Sequence, residues 1–381
     1  MTGPSVLHLI RPQPPGEVGG ADLHIADLAE EQIRSGVEVV VCHYGNPEYG
    51  ELLRSRGIAN LHVETRGLRW WLRSVRRQVR ADRPVVIHSH GYESDYVATA
   101  LRLLPGDSGA RNAAFVISSH GFIRTGVKLR AMTLLNERCL RSAAAIITAS
   151  EPEARRLERA GYPDVQYVAN GVRKATGSDR GHVAEQTALP EHDAKVAYVG
   201  RLSPEKRPDL FLDLAATLAG ERADVSFAVI GTGPLLAECR AAVEERGLSE
   251  RIRFTGLRRD VPELLAGMDI LVSCSDTEGT PRAVVEGMAA GLPVVATRVG
   301  GLPDLVGHEV NGLLVDPGSG SQLLDSVRLL LDDPDRARDL GAAGRRRAQE
   351  RFGAADMWAE VNRVYGRAAS AAWALPSEHA S

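Results

Sequence analysis

Two glutamates, Glu278 and Glu286, frame the segment of this chain best placed to do chemistry. They stand in Ser275-Asp276-Thr277-Glu278-Gly279-Thr280-Pro281-Arg282, which runs on to Ala290-Gly291, Pro293-Val294-Val295 and Gly300-Gly301. An apolar stretch at 270–273 precedes this run and a helical pattern follows it. The segment therefore reads as a strand, a turn on Gly279, and a helix with Pro281 near its first turn. The first-turn N–H groups of such a helix suit an anion or a sugar oxygen. At the rise of an α-helix the two carboxylates sit roughly 10 Å apart. Carboxyl pairs that hydrolyse a glycosidic bond with retention lie only about 5 Å apart. The wider spacing suits opposite ends of one extended ligand. A nucleotide diphosphate sugar offers hydroxyls at both ends, on its sugar and its ribose. Either glutamate alone would fit an ordinary surface; the whole pattern does not.

Departing diphosphate charge must be neutralised, and Gly200-Arg201-Leu202-Ser203-Pro204-Glu205-Lys206 supplies two cations directly after a strand. Arg binds phosphate oxygens bidentately and Lys adds a point charge, so Arg201 and Lys206 can replace a divalent ion. No metal site is expected, and no cofactor. Asp333-Pro334-Asp335 has the spelling of a metal motif but lies in a C-terminal helical pattern, where capping is the better reading. Gly19-Gly20 lies between a strand and a helix, the placement of an anion-binding turn. Gly231-Thr232-Gly233-Pro234 also follows a strand, but Leu236 stands where a dinucleotide fingerprint needs its third glycine. No P-loop is present. His88-Ser89-His90-Gly91 and Ser118-Ser119-His120-Gly121 each end a strand, where histidine can bond a sugar or a phosphate. A lone strand-end histidine is more often structural; His120 stands out because it sits with Gly121 and opposite the loop that carries Glu278.

These groups need elements to position them. Short apolar runs at 6–10, 37–42, 84–88, 114–118 and 144–148 alternate with helical patterns such as 21–35. Strands separated by helices imply a parallel sheet with right-handed crossovers. The rhythm falters between 172 and 193, then resumes with strands at 195–199, 225–230, 252–254, 270–273 and 293–297, and closes with helices at 333–352 and 354–365. The organisation expected is an α/β chain of two Rossmann-like α/β/α domains facing each other across a cleft. An N-terminal domain is expected over 1–175, a linker over 176–193, and a C-terminal domain over 194–352. Residues 353–381 form a helix crossing back to the N-terminal domain, with a loose tail.

The 381 residues suffice for two such cores. Net charge is −3, which excludes general nucleic-acid binding, yet residues 1–180 carry +5 and residues 181–381 carry −8, a split that points to two different partners. The four cysteines, at 42, 139, 239 and 274, form no pair with zinc spacing and read as reduced thiols. No apolar run reaches bilayer length, and a cytoplasmic enzyme is expected. Segment 66–83 holds seven arginines and one acid, with Leu68, Trp71, Leu72, Val75 and Val79 on one helical face. It could rest on anionic lipid at the inner membrane face, receive a phosphate-bearing acceptor, or simply pack on the sheet.

Taken together these stretches resemble the GT4 family of retaining glycosyltransferases with the GT-B fold. The likeness covers nearly the whole chain: Gly19-Gly20, His120-Gly121, Asn170-Gly171-Val172, Gly200-Arg201 with Lys206, Gly231-Thr232-Gly233-Pro234, Phe254-Thr255-Gly256, and Glu278 with Glu286. The resemblance implies that Arg201 and Lys206 bind the diphosphate and that Glu286 binds the ribose. It implies that Glu278, with the amides of Gly279, Thr280 and Pro281, holds the donor sugar. Gly200, Gly231 and Gly256 complete the donor site, and His120 with Gly19 and Gly20 closes on it. It further implies a front-face displacement without a carboxylate nucleophile, a uridine-linked donor, and an acceptor that is a small molecule, a glycan or a lipid-linked sugar. Thr280-Pro281-Arg282 departs from the bulkier apolar residues of other members, which bears on the identity of the sugar. Readings set against this one are a nucleotide-sugar epimerase on the same fold, a two-domain nicotinamide dehydrogenase, and a silent sugar-nucleotide binder.

Overall fold

A computed structural model describes residues 4–15, 18–64, 67–82, 84–103, 108–119, 127–172, 180–191 and 193–369. The chain divides into two compact units. Unit 1 comprises 1–171 with 354–381, and unit 2 comprises 172–353.

Unit 1 is built on seven parallel strands: β1 (Ser5–Ile10), β2 (Glu38–Tyr44), β3 (Ala59–Val63), β4 (Val86–His90), β5 (Ala114–Ser119), β6 (Ala145–Thr148) and β7 (Val165–Tyr167). Their order is β3-β2-β1-β4-β5-β6-β7. The alternation of β1 assigns its two faces. Val6 and Ile10 pack under the helices Gly20–Arg34 and Ala354–Ala369, while Leu7 and Leu9 meet the helix Leu68–Asp82. That last helix buries Trp71, Val75 and Val79 completely. Much of the apolar face expected for lipid is therefore packed on the sheet. Arg69, Arg73 and Arg77 line its outer side, beside exposed Leu68 and Trp70.

Unit 2 carries β8 (Ala194–Val199), β9 (Val225–Ile230), β10 (Ile252–Gly256), β11 (Ile270–Ser273), β12 (Val294–Thr297) and β13 (Gly312–Val315), all parallel, in the order β10-β9-β8-β11-β12-β13. Chain order reverses between β8 and β11. That crevice at the carboxyl ends of the strands is where open α/β sheets bind ligands.

Three strands, β3, β7 and β13, were not evident from local pattern. Each is a sheet edge of five residues or fewer, and a short edge strand owes its form to the neighbour it pairs with. The stretch expected as a linker also differs. Arg180–Thr187 is a helix within unit 2, packed on β10 and on the helix Val261–Leu265, because Val183 and Leu189 are buried there. Residues 173–179 lie outside the described residues. The helix Ala354–Ala369 belongs to unit 1, where the Trp358 indole donates to Ser35 Oγ at 2.8 Å. Asp333 caps the helix Pro334–Arg351, its Oδ1 accepting from Arg336 N at 3.0 Å.

Candidate active site

The turn after β8 and the turn after β11 meet at the reversal point of unit 2. Tyr198, the penultimate residue of β8, donates its hydroxyl to Arg201 O at 3.0 Å and so bends the chain over the strand end. A short 3-10 turn, Pro204–Lys206, follows and ends on Arg207, whose φ of 50° lies in the left-handed region. That conformation is costly for a residue with a side chain. It is held by ion pairs from Arg207 to Asp209 and Asp276 (2.7 and 3.2 Å) and by the Cys274 thiol donating to Arg207 O at 3.0 Å. The result is that Lys206 points at the second turn. Its Nζ lies 2.6 Å from Glu278 Oε1, which also accepts from Ser275 Oγ at 2.7 Å. The Glu278 side chain is 8% exposed, so the carboxylate is largely withdrawn from water and depends on both donors.

Glycines let the backbones come this close. A Cβ at Gly300 would stand 1.7 Å from Glu278 O, and one at Gly301 2.4 Å from Gly279 O. Gly301 N donates to Gly279 O at 3.0 Å, so the Glu278-Gly279 turn rests directly on this pair. On the β8 side a Cβ at Gly231 would come within 2.0 Å of Gly200 O, and Gly231 N donates to Gly256 O. The ends of β8, β9 and β10 are thereby stacked backbone on backbone.

Pro281 is the N-cap of the helix Arg282–Ala290. Inside it Glu286 is buried, 5% exposed, and its Oε1 lies 2.7 Å from Arg282 Nε. The sequence reading assigned no partner to Arg282, Ser275 or Arg207. Only Arg282 left a signal, its spacing of four from Glu286 on one helical face. Arg201 is exposed on the turn after β8, and Thr280 is half-buried.

In unit 1, Gly19 is the N-cap of Gly20–Arg34, and Asp22 already holds that turn. Its Oδ2 accepts from Gly19 N at 2.7 Å and from Gln13 N at 3.3 Å. Burial nevertheless pushes the Asp22 carboxyl up to about 6, with those two amides pulling the other way. The anion-binding turn expected at Gly19-Gly20 thus has a resident carboxylate. His120 and Gly121 lie outside the described residues.

The description Glycosyl transferases group 1 matches residues 179–347, and Glycosyltransferase Family 4 matches residues 18–175. A 2-deoxystreptamine glucosyltransferase of Streptomyces kanamyceticus is 35% identical over 233 residues, 58% of this chain and 60% of that protein. A D-inositol 3-phosphate glycosyltransferase of Corynebacterium glutamicum is 28% identical over 371 residues, 86% of each chain. The solved structure of Anabaena HepE in complex with UDP-glucose superposes with a TM-score of 0.80 at 22% identity, over 94% of this chain and 98% of that one. Sucrose-phosphate synthase of Thermosynechococcus elongatus has a TM-score of 0.77 at 20% identity, over 95% and 98%.

Proposed function

The chain belongs to the GT4-type glycosyltransferases of GT-B fold, and from that premise we propose that it transfers a sugar, with retention and without a metal, from a uridine diphosphate sugar bound in unit 2. One observation carries the reading: the contact of Lys206 with Glu278 at the carboxyl ends of β8 and β11.

The pair keeps both groups placed before donor arrives. When a diphosphate enters, its oxygens compete for Lys206, and the carboxylate released from Lys206 accepts from a sugar hydroxyl. Lys206, with Arg201, then faces the charge that builds on the leaving diphosphate as the bond from the anomeric carbon to its oxygen breaks. Glu278 holds the sugar as positive charge develops on its ring. The acceptor oxygen attacks the face the diphosphate leaves, and its proton passes to a phosphate oxygen, which completes the balance. Arg282 presets Glu286 for the ribose hydroxyls.

UDP-glucose is the first donor to test, since it is the ligand of the HepE structure. The relatives named above act on 2-deoxystreptamine and D-inositol 3-phosphate, so cyclitols are the first acceptor class. Thermal-shift titration with UDP-glucose and GDP-mannose, then UDP release with each cyclitol in EDTA, tests the reading. We expect UDP-glucose to raise the melting temperature most and EDTA to leave turnover within about twofold, since a linked ligand stabilises only the state that binds it. Turnover abolished by EDTA and restored by magnesium would show that the two cations do not carry the diphosphate charge.

A further inference from the structure

Three histidines meet inside unit 1. His8 on β1 and His88 and His90 on β4 are buried, and one nitrogen of each lies within 4.8 Å of the others. That spacing would suit a metal, but hydrogen bonds engage these nitrogens instead. His8 Nδ1 lies 2.9 Å from His90 Nε2, and His8 Nε2 lies 2.8 Å from Gln32 Oε1. The other end of the Gln32 amide donates from Nε2 to the Tyr365 hydroxyl at 3.3 Å. That hydroxyl is 2.6 Å from His88 Nδ1, and His88 Nε2 is 2.8 Å from Ser118 Oγ. Six residues from β1, β4, β5 and two helices form one continuous chain.

The chain has a direction, because an amide accepts at one end and donates at the other. Gln32 Oε1 requires a proton on His8 Nε2. His8 then accepts at Nδ1, so His90 donates from Nε2. At the far end Gln32 donates to Tyr365, whose own proton goes to His88 Nδ1, its close neighbour. His88 is left with its proton on Nε2 and donates to Ser118. One amide orientation therefore sets three neutral tautomers, all protonated at Nε2. Burial, opposed by the bond to Gln32, lowers His8 to about 4, which keeps the centre of the chain uncharged.

The two ends of the relay sit where loops leave the sheet. His90 is the last residue of β4, and Gly91 beyond it turns the chain with a φ of 88°. Ser118 stands near the end of β5, two residues before His120 in the sequence.

We propose that Gln32 and Tyr365 are positioning residues for the acceptor half of the reaction, fixing through this one-way relay the tautomers of His8, His88 and His90 and with them the carboxyl ends of β4 and β5. The inference rests on the transferase reading for its link to an acceptor.

Long-range ¹H–¹⁵N spectra of the histidines in the full chain test it. In the wild-type protein three neutral imidazoles protonated at Nε2 are expected. Gln32→Glu offers acceptors only, so the Tyr365 proton turns to the new carboxylate. His88 should then move its proton to Nδ1, while His8 and His90 keep theirs on Nε2. Tyr365→Phe should release His88 alone into a tautomer mixture. Protonation at Nδ1 in the wild type, a wild-type mixture, or a His88 unmoved by Gln32→Glu would each overturn the relay. UDP affinity should stay within about twofold in both variants, because the donor loops lie in the other unit. With UDP-glucose and either cyclitol, the acceptor KM should rise roughly tenfold, the value of one lost hydrogen bond, at unchanged donor KM. An unchanged acceptor KM beside altered tautomers would overturn the positioning role. Absence of transfer by the wild-type chain would count against the transferase reading alone, and the spectra would still decide the relay.

Discussion

Glu278 and Glu286 each hold one cation in this structure, yet their removal should read out differently. Glu278 pairs with Lys206, and Glu286 with Arg282. Glu278→Ala frees Lys206 and, on the proposed reading, touches no group of the nucleotide. UDP affinity by calorimetry should stay within about threefold, while transfer falls mainly in kcat, because the sugar is held most tightly as charge develops on it. On the proposed reading Glu286→Ala removes the ribose partner and should weaken UDP and UDP-sugar alike by roughly ten- to a hundredfold, the range of a charged hydrogen bond. Equal loss of UDP affinity in both variants would refute the two-ended ligand. In unit 1 Asp95 makes stability depend on pH. It is buried, accepts from Ser89 Oγ at 2.6 Å, and burial raises its carboxyl to about 7 against that bond. An unfolded chain loses this proton near 3.8, whereas the native chain keeps it until about 7. The native state therefore binds the extra proton between those values, and its stability falls as pH rises through them. His8 and His43 act oppositely. Burial lowers both to about 4, so their contribution falls as pH drops below 6.5. Asp95→Asn should melt higher than wild type at pH 8 and converge with it near pH 4; parallel melting curves across that range would sink this assignment.

At the scale of elements, the turns that form the candidate site depend on backbones in contact. Gly300→Ala puts a methyl where Glu278 O lies, at a φ of 53° that already disfavours a side chain. A loss of about 2–4 kcal/mol in urea unfolding is expected. Gly220, near the end of the helix Pro208–Glu221, has nothing within 4 Å of an added Cβ. Gly220→Ala should be neutral or stabilise by up to about 1 kcal/mol. Equal effects at the two positions would mean that the turn does not rest on Gly300. The helix Leu68–Asp82 tests a different contact. Its inner face is committed to the core, which leaves Arg69, Arg73 and Arg77 with Leu68 and Trp70 as the outer surface. Co-sedimentation with phosphatidylglycerol vesicles should occur at low salt, weaken at high salt, and be lost when the three arginines become glutamates. No sedimentation at low salt would remove lipid as its partner.

At the scale of the whole molecule, the chain leaves unit 1 after Gly171 and returns to it at Ala354. The returning helix completes the first core with Met357, Trp358, Val361, Val364 and Tyr365. Unit 1 therefore cannot finish folding until unit 2 has been made. A chain ending at residue 353 should show loss of the unit 1 transition in calorimetry while unit 2 still melts cooperatively and binds UDP. Retention of both transitions would show that the last helix is dispensable. Among the described residues no helix is long and apolar enough to cross a membrane.

Much of the candidate site was legible in the sequence, because its parts are local. Strand ends followed by glycine, cations at 201 and 206, and glutamates at 278 and 286 keep their meaning within one short segment each. The alternation of apolar runs and helical periods likewise declared two parallel α/β units, since burial on both faces imposes a local pattern. What tertiary structure decided is partnership across distance. Lys206 meets Glu278 across 72 positions and His88 meets Tyr365 across 277. Those contacts follow from the order β10-β9-β8-β11-β12-β13 and from the return of the final helix, neither of which any local period encodes. Edge strands β3, β7 and β13 stayed hidden for the same reason: a few residues extend only because a paired neighbour satisfies their backbone hydrogen bonds.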